Sequence, residues 1–208
     1  MSARCVGVLL AGGAARRFGG RPKGLATIGG ARIADRVLVA LEEATDSQLI
    51  VANDPRATDW FPGRRVVPDE TAGLGPLAGL ATALEAANGA SALVAAWDMP
   101  FVTAALLRML RTIGQEGEGA TAVVPVHGSD VWTEPLCAYY APEALTVCRA
   151  LLASGERRAG ALVAALPGSR VIDDDALAPF GDPATLFASV DSPEQLATMG
   201  GRLPLGDA

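Results

Sequence analysis

The sequence is poor in lysine, histidine and aromatic residues. It has 17 basic side chains in 208 residues, and all of them except Lys23 are arginines. His127 is the one histidine, which excludes a metal site built from several histidines and an acid–base pair of two histidines. Arginine therefore provides nearly all the positive charge, and the retention of a lysine at position 23 needs an explanation.

Excess positive charge and long apolar runs are also missing. The formal net charge is -6, which argues against broad nucleic-acid binding. No apolar run approaches the roughly 18 residues of a membrane span. The sequence shows no basic segment followed by an apolar stretch and a cleavage site, which is the pattern of a secretory signal. We therefore expect a cytoplasmic protein that acts on neither membranes nor nucleic acids.

The cysteines show no spacing typical of a metal site. Cys5, Cys137 and Cys148 are far apart and each lies in an apolar context, which predicts three buried, reduced side chains. His127 lies in a turn-like stretch, residues 126–130, and is predicted to be a surface loop histidine.

Short apolar runs alternate with amphipathic segments along the chain. This alternation predicts one α/β domain over residues 1–208, with a doubly wound, mostly parallel sheet between two helical layers. The predicted strands are 5–11, 48–52, 65–67, 91–96, 120–126, 135–140 and 171–172. The predicted helices are 32–45, 76–87, 104–113, 142–153, 158–166 and one that begins after Ser192.

Ligands of such sheets bind beyond the carboxyl ends of the strands. The loops at 12–24, 53, 68–76 and 97–100 are therefore expected to border one cleft.

The first loop, residues 12–24, is rich in glycine and cations. Glycines let backbone N–H groups approach an anion, and the four cations at 16, 17, 21 and 23 add charge suited to phosphate. The loop lacks the G-x-G-x-x-G spacing, and Lys23 is followed by Gly24 rather than Ser or Thr, so it is not a P-loop. It predicts a phosphate site; a surface loop with solvated arginines is the alternative.

Lys23 favours the phosphate site. A solvated surface lysine is replaceable by arginine, and arginine stands at every other basic position of this chain. Its retention indicates a compact point charge that a planar guanidinium cannot replace, although a single lysine could also persist by chance.

Two aspartates follow predicted strands that lie near this loop. Asp98 comes just after strand 91–96, where a carboxylate commonly holds Mg²⁺ together with substrate phosphates. Asp69 occupies the same place after strand 65–67. A turn or capping aspartate is the alternative for Asp98. Together with the loop, the two residues indicate an enzyme that uses a nucleotide and Mg²⁺.

The motifs of the chain resemble those of the molybdenum cofactor guanylyltransferases, a family of Rossmann-like nucleotidyltransferases. The similarity covers nearly the whole chain in the expected order. The matching segments are 10–13, 17–19, 23–25, 52–53, 68–69, 75–79, 98–101, 134–136, 155–158 and 190–194. Segments 75–79 and 155–158 favour the guanylyl over the cytidylyl branch.

The resemblance implies that GTP and a molybdopterin-type cofactor react, with Mg²⁺, to give the guanine dinucleotide and pyrophosphate. It implies that the N-terminal half binds GTP and the C-terminal half binds the acceptor, and it leaves open whether cofactor-insertion proteins are partners. The implied nucleotide contacts are Leu10, Ala11, Gly12, Gly13, Lys23, Asn53, Asp69, Gly75, Pro76, Leu77 and Asp98. The implied catalytic residues are Lys23, Asp98 and Arg17.

On the acceptor side the resemblance implies Arg157, Arg158 and Asp191, with Asp98 and Asp191 as metal ligands. Two departures bear on the acceptor and the base. Pro22 replaces an acidic residue, and Ser189 and Asp191 stand where the family often has two asparagines. Asp191 could instead only help to cap the last helix.

Three functions remain open from the sequence. The first is guanylyl transfer to the molybdenum cofactor. The second is cytidylyl transfer to that cofactor, or nucleotidyl transfer to another phosphorylated acceptor. The third is a non-catalytic nucleotide-binding regulator, against which the presence of both Lys23 and Asp98 argues.

Overall fold

The computed structural model describes residues 4–12, 18–69, 73–128 and 132–203. Its strands, in chain order, are β1 (Cys5–Leu10), β2 (Thr27–Ile28), β3 (Ala31–Arg32), β4 (Ser47–Val51), β5 (Val66–Val67), β6 (Ser91–Ala96), β7 (Ala122–His127), β8 (Trp132–Thr133), β9 (Cys137–Tyr140), β10 (Ser169–Ile172) and β11 (Gly201–Arg202). Its helices are α1 (Ile33–Ala44), α2 (Ala57–Trp60), α3 (Pro76–Ala86), α4 (Ala104–Glu116), α5 (Ala144–Ala153), α6 (Ala159–Ala165), α7 (Asp174–Leu177), α8 (Pro183–Leu186) and α9 (Pro193–Thr198).

The main sheet runs in the order β10-β7-β9-β6-β1-β4-β5, with β8 paired to β7. The β1–β4, β1–β6, β4–β5 and β7–β10 pairs are parallel, and β9 is antiparallel to both of its neighbours. The predicted doubly wound, mostly parallel fold is thus confirmed. Most predicted helices and strands are present with ends shifted by one to three residues, as expected for elements read from periodicity.

The core lies on both faces of the sheet. In β1, Cys5 and Leu9 pack with α1 and α4, whereas Val6, Val8 and Leu10 pack with α3. A strand covered on both faces reads as a continuous apolar run, which is why β1 and β6 were visible in the sequence. The three cysteines are buried as predicted. Burial raises the pKa of the Cys148 thiol to about 12, so this thiol stays protonated.

Strand register aligns the carboxyl ends of the central strands. Leu10 pairs with Val51 on one side and with Ala96 on the other, and Val51 pairs with Val67. The segments that follow these residues, including Asn53, Asp69 and Asp98, therefore emerge at one edge of the sheet, although of these three only Asp98 lines the cavity described below.

A second, small sheet was not predicted. It has the order β11-β2-β3, and its strands are two residues long, too short for a period-two pattern to be recognised. Gly29 and Gly30, with φ of 59° and 84°, form the turn between β2 and β3. This Gly-Gly pair was a hairpin signal that could have been read from the sequence. β11 attaches the C-terminal segment to the region just after Lys23.

The prediction for His127 was wrong. It is the last residue of β7 and pairs with Trp132 of β8, and only 19% of its side chain is exposed. Turn-forming residues after it suggested a loop, but the turn begins at Gly128. Within the described residues, no helix has both the length and the apolar character needed to cross a membrane.

Candidate active site

Lys23 lies at the centre of a small cluster of charges. It begins a single 3-10 turn, Lys23–Leu25, directly after Pro22. Its ammonium contacts the carboxylate of Asp98 and lies 2.9 Å from Oδ1 of Asp191. Only 15% of the Lys23 side chain and 13% of the Asp98 side chain are exposed, whereas Asp191 is 44% exposed. The structure therefore brings together three residues from distant parts of the sequence.

The protonation state of Lys23 follows from its neighbours. Burial alone lowers the pKa of its amine, but the carboxylates of Asp98 and Asp191 outweigh this effect and hold the pKa above its ordinary value. Lys23 is therefore a permanent cation at neutral pH.

The backbone fixes both aspartates. The N–H of Trp97 donates to the carbonyl of Leu10 at 3.1 Å, which extends the β1–β6 ladder to the residue before Asp98. The N–H of Val190 donates to the carbonyl of Asp98 at 3.0 Å. This bond places the neighbouring Asp191 beside Asp98 at the edge of the sheet.

Asp191 is held separately. The Ser189 hydroxyl donates to its Oδ2, and its own N–H donates to Oε1 of Gln195 at 2.8 Å. The side-chain cap of α9 is Ser192, whose oxygen accepts from the N–H of Gln195 at 3.2 Å. The carboxylate of Asp191 faces Lys23, so capping does not explain its position.

Gly24 and Trp97 form a contact that sequence reasoning missed. A Cβ on Gly24 would overlap the indole ring of Trp97, so glycine is required by this close approach. Trp97 is 3% exposed, and its ring stacks on Trp60 with centroids 6.0 Å apart. Because Gly24 follows Lys23 and Trp97 precedes Asp98, their contact sets the distance between the two charged residues.

Gly24→Ala is therefore expected to displace Lys23 from Asp98. Overpacking of this kind costs about 1–3 kcal/mol, and we expect a melting temperature lower by about 5 °C and kcat lower by about tenfold. Thermal unfolding and steady-state turnover measure the two effects. Adding Trp97→Leu to the same chain removes the overlap and should recover part of kcat. Wild-type turnover in Gly24→Ala would show that the contact does not position Lys23.

Asn53 and Asp69 form a second polar site at the same edge. Asn53 Nδ2 donates to Asp69 Oδ2 at 2.7 Å, and the N–H of Asp69 donates to Asn53 Oδ1 at 2.8 Å. Asp69 Oδ1 is buried and has no hydrogen-bond partner among the described residues. A buried acceptor without a donor is costly, which makes this oxygen a candidate to receive a ligand N–H.

The remaining predicted nucleotide contacts lie around these two sites. Leu10 and Ala11 are buried at the end of β1, and Gly12 is exposed just beyond. Gly75 has a φ of 80° and Pro76 begins α3, where the N–H of Leu77 donates to the carbonyl of Arg157 at 3.2 Å. The predictions for Gly13 and Arg17 fall outside the described residues.

A cavity of about 470 Å³ adjoins the Lys23 cluster. Asp98, Asp191, Arg157 and Arg158 all line it, so the structure brings together the predicted acceptor residues. Its apolar lining includes Ala96, Met99, Pro135 and Leu136. Glu134 also lines it, although sequence reasoning assigned that residue no role.

The two arginines that line the cavity differ in how firmly their side chains are held. Arg157 Nη1 donates to the carbonyls of Leu152 and Glu156 at 3.1 and 2.7 Å, which fixes this side chain. Arg158 forms a two-bond pair with the carboxylate of Glu156 and is 83% exposed. The hydrogen bonds from Arg158 and the backbone lower the pKa of Glu156 to about 2.

Asp98 and Asp191 fit a hard divalent cation. Their carboxylates already converge on a cation, the ammonium of Lys23. Within the described ranges, no three or more His, Cys, Asp or Glu side chains form a group that could hold a metal. Such a pair does not form a closed cage, but it suits Mg²⁺, which binds through one or two carboxylates plus substrate phosphates and water.

Comparison with known proteins gives consistent matches. Residues 7–171 match the family model described as the MobA-like NTP transferase domain. Molybdenum cofactor guanylyltransferases from Shewanella sediminis and Shewanella sp. strain W3-18-1 are 32% and 30% identical to this chain, each over 94% of it and 95% of the relative. The crystal structure of molybdopterin-guanine dinucleotide biosynthesis protein A from Archaeoglobus fulgidus superposes with a TM-score of 0.78 at 27% identity, covering 93% of this chain and 96% of that one. The chain therefore belongs to the molybdenum cofactor guanylyltransferase family and is a nucleotidyltransferase.

Proposed function

We propose that the protein transfers GMP from GTP to the terminal phosphate of molybdenum-molybdopterin, giving the guanine dinucleotide cofactor and pyrophosphate. One observation carries this proposal: the Lys23–Asp98–Asp191 cluster adjoins a cavity lined by two arginines. The Asn53–Asp69 pair lies at the same sheet edge but does not line that cavity. Separate surfaces are thus available for the base and for the acceptor.

In the reaction a phosphate oxygen of the acceptor bonds to the α-phosphorus of GTP. The bond from that phosphorus to the oxygen bridging to the β-phosphate breaks, and pyrophosphate leaves with the electron pair. Both reactants are anions, so the protein's task is to neutralise charge and align the groups in line. The acceptor phosphate is already ionised at neutral pH and needs no general base.

Lys23 supplies the positive charge next to the reacting phosphates. Asp98 and Asp191 would hold Mg²⁺, which when bound neutralises phosphate charge. The ammonium of Lys23 contacts these same two carboxylates in the structure. When substrate binds, Lys23 must therefore exchange at least one of them for phosphate oxygens.

Asp69 accounts for a preference for guanine. Guanine presents two adjacent donors, N1–H and the 2-amino group, which match a carboxylate. Cytosine offers one amino donor beside acceptor atoms, which a carboxylate repels. The hydrogen bonds with Asn53 hold Asp69 so that Oδ1 remains available. A site built on such a carboxylate discriminates strongly, because the wrong base leaves it unpaired.

A nucleotide panel tests the proposed function. Purified protein with Mg²⁺ and molybdopterin is expected to release pyrophosphate from GTP at least about 100-fold faster than from CTP or ATP. Removing Mg²⁺ with a chelator should stop the release. Clear release from CTP with none from GTP would overturn the guanylyl assignment.

A further inference from the structure

Glu134 is a carboxylate in the acceptor cavity without a role in the transfer chemistry. It lines the cavity together with Asp98 and Asp191. Only 19% of its side chain is exposed, and its Oε1 lies 2.8 Å from Nε2 of His127. Burial raises the pKa of Glu134, and the hydrogen bond with His127 acts in the opposite direction.

The surroundings hold Glu134 firmly. Its N–H donates to the carbonyl of Pro125 at 2.9 Å, and its carbonyl accepts from the N–H of Cys137 at 3.0 Å. The ring of His127 stacks on Phe187 with centroids 5.2 Å apart, and Phe187 is 5% exposed. Glu134 lies in the short connection between β8 and β9, and these backbone hydrogen bonds together with the His127 contact fix the position of its carboxylate, as binding groups need.

A third carboxylate is unfavourable in a cavity that must receive an anionic phosphate. In the part of the chain that the structure describes, the side-chain hydrogen bond of Glu134 is with His127, and no arginine or lysine pairs with its carboxylate. The guanidinium of Arg158 is engaged by Glu156. Glu134 therefore repels the acceptor unless the acceptor brings hydrogen-bond donors to it.

Two simpler roles are not supported. Over the described residues, Glu134 does not join Asp98 and Asp191 in a group of three or more ligands able to hold a metal. A second simple role would be to anchor His127. Phe187 already packs on the His127 ring, and anchoring alone would not require the Glu134 carboxylate to line the cavity.

We propose that Glu134 recognises the acceptor's ring by accepting hydrogen bonds from the N–H groups at the amino-oxo edge of its pterin. Pro135 and Leu136 contribute apolar surface for the ring's face, and Arg157 lies on the cavity wall for its anionic end. His127 is a positioning residue that orients the Glu134 carboxylate. This inference rests on the proposed function, because it names how that acceptor is bound.

Two carboxamide variants test the assignment. Glu134→Gln is expected to raise KM for molybdopterin about tenfold, or about 1.4 kcal/mol, and to leave KM for GTP within about twofold. Asp69→Asn is the matched control at the other polar site, and it should raise KM for GTP while leaving KM for molybdopterin within about twofold. An unchanged acceptor KM in Glu134→Gln, or an equal rise in both KM values, would overturn the proposal.

A measurement on the wild-type protein avoids any dependence on folding of the variant. Pterin and lumazine, in which an oxo group replaces the 2-amino group, are compared as inhibitors competing with molybdopterin. We expect pterin to bind about tenfold more tightly, and equal affinities would contradict the role of Glu134. Wild-type protein that does not use molybdopterin at all would instead refute the proposed function, so the two failures are distinguishable.

Discussion

Asp98→Asn is expected to lower kcat by about 10²- to 10³-fold while the fold stays intact. The substitution keeps the shape of the side chain but removes its negative charge, and with it the partner of Lys23 and a ligand suited to Mg²⁺. Because only 13% of the side chain is exposed, solvent screens its charge weakly, and the loss of that charge has a large effect. Anaerobic pyrophosphate release and circular dichroism measure rate and fold.

Asp191→Asn is the matched control. It also contacts Lys23, but it is 44% exposed, so solvent screens its charge and the loss in kcat should be about tenfold. Turnover near the wild-type rate in Asp98→Asn would remove Asp98 from the mechanism. An equal loss in both variants would show that the two carboxylates act as one unit.

Lys23→Arg is expected to lower kcat by about 10²-fold although the charge is preserved. The ammonium lies between two carboxylates in a site that is 15% exposed, and the Gly24–Trp97 contact fixes the backbone beside it. A guanidinium is larger and planar, and it cannot take the position of a compact point charge there. The measurement is kcat with saturating GTP and acceptor.

Arg149→Lys provides the reverse exchange at an exposed arginine that pairs with Glu85, and it should have no effect on kcat. An unchanged rate in Lys23→Arg would mean that the single lysine of the chain is not required as a lysine.

The sequence predicted the sheet and the strand-end residues because both depend on local patterns. Buried parallel strands are continuous apolar runs, and their carboxyl ends meet at one edge, so Asp69 and Asp98 were identified from position alone. Lys23 was recognised by composition. Its pairing with Asp98 and Asp191 could not be read, because it depends on how distant segments meet in the fold.

The contacts that shape the site were missed for the same reason. The close approach of Gly24 to the Trp97 ring and the pairing of Glu134 with His127 both depend on tertiary packing. Turn signals after His127 led to a loop assignment, although β7 continues through that residue. Trp97, a large aromatic side chain directly after β6 and next to Asp98, was the one available signal.

The position of the label from radioactive GTP tests the central claim most directly. With wild-type protein, Mg²⁺ and molybdopterin, we expect the label of [α-³²P]GTP in the pterin dinucleotide and that of [γ-³²P]GTP only in pyrophosphate. This outcome requires bond formation at the α-phosphorus, as GMP transfer does. Label from the γ-position on the acceptor, or α-label found only in free GMP or GDP, would contradict guanylyl transfer.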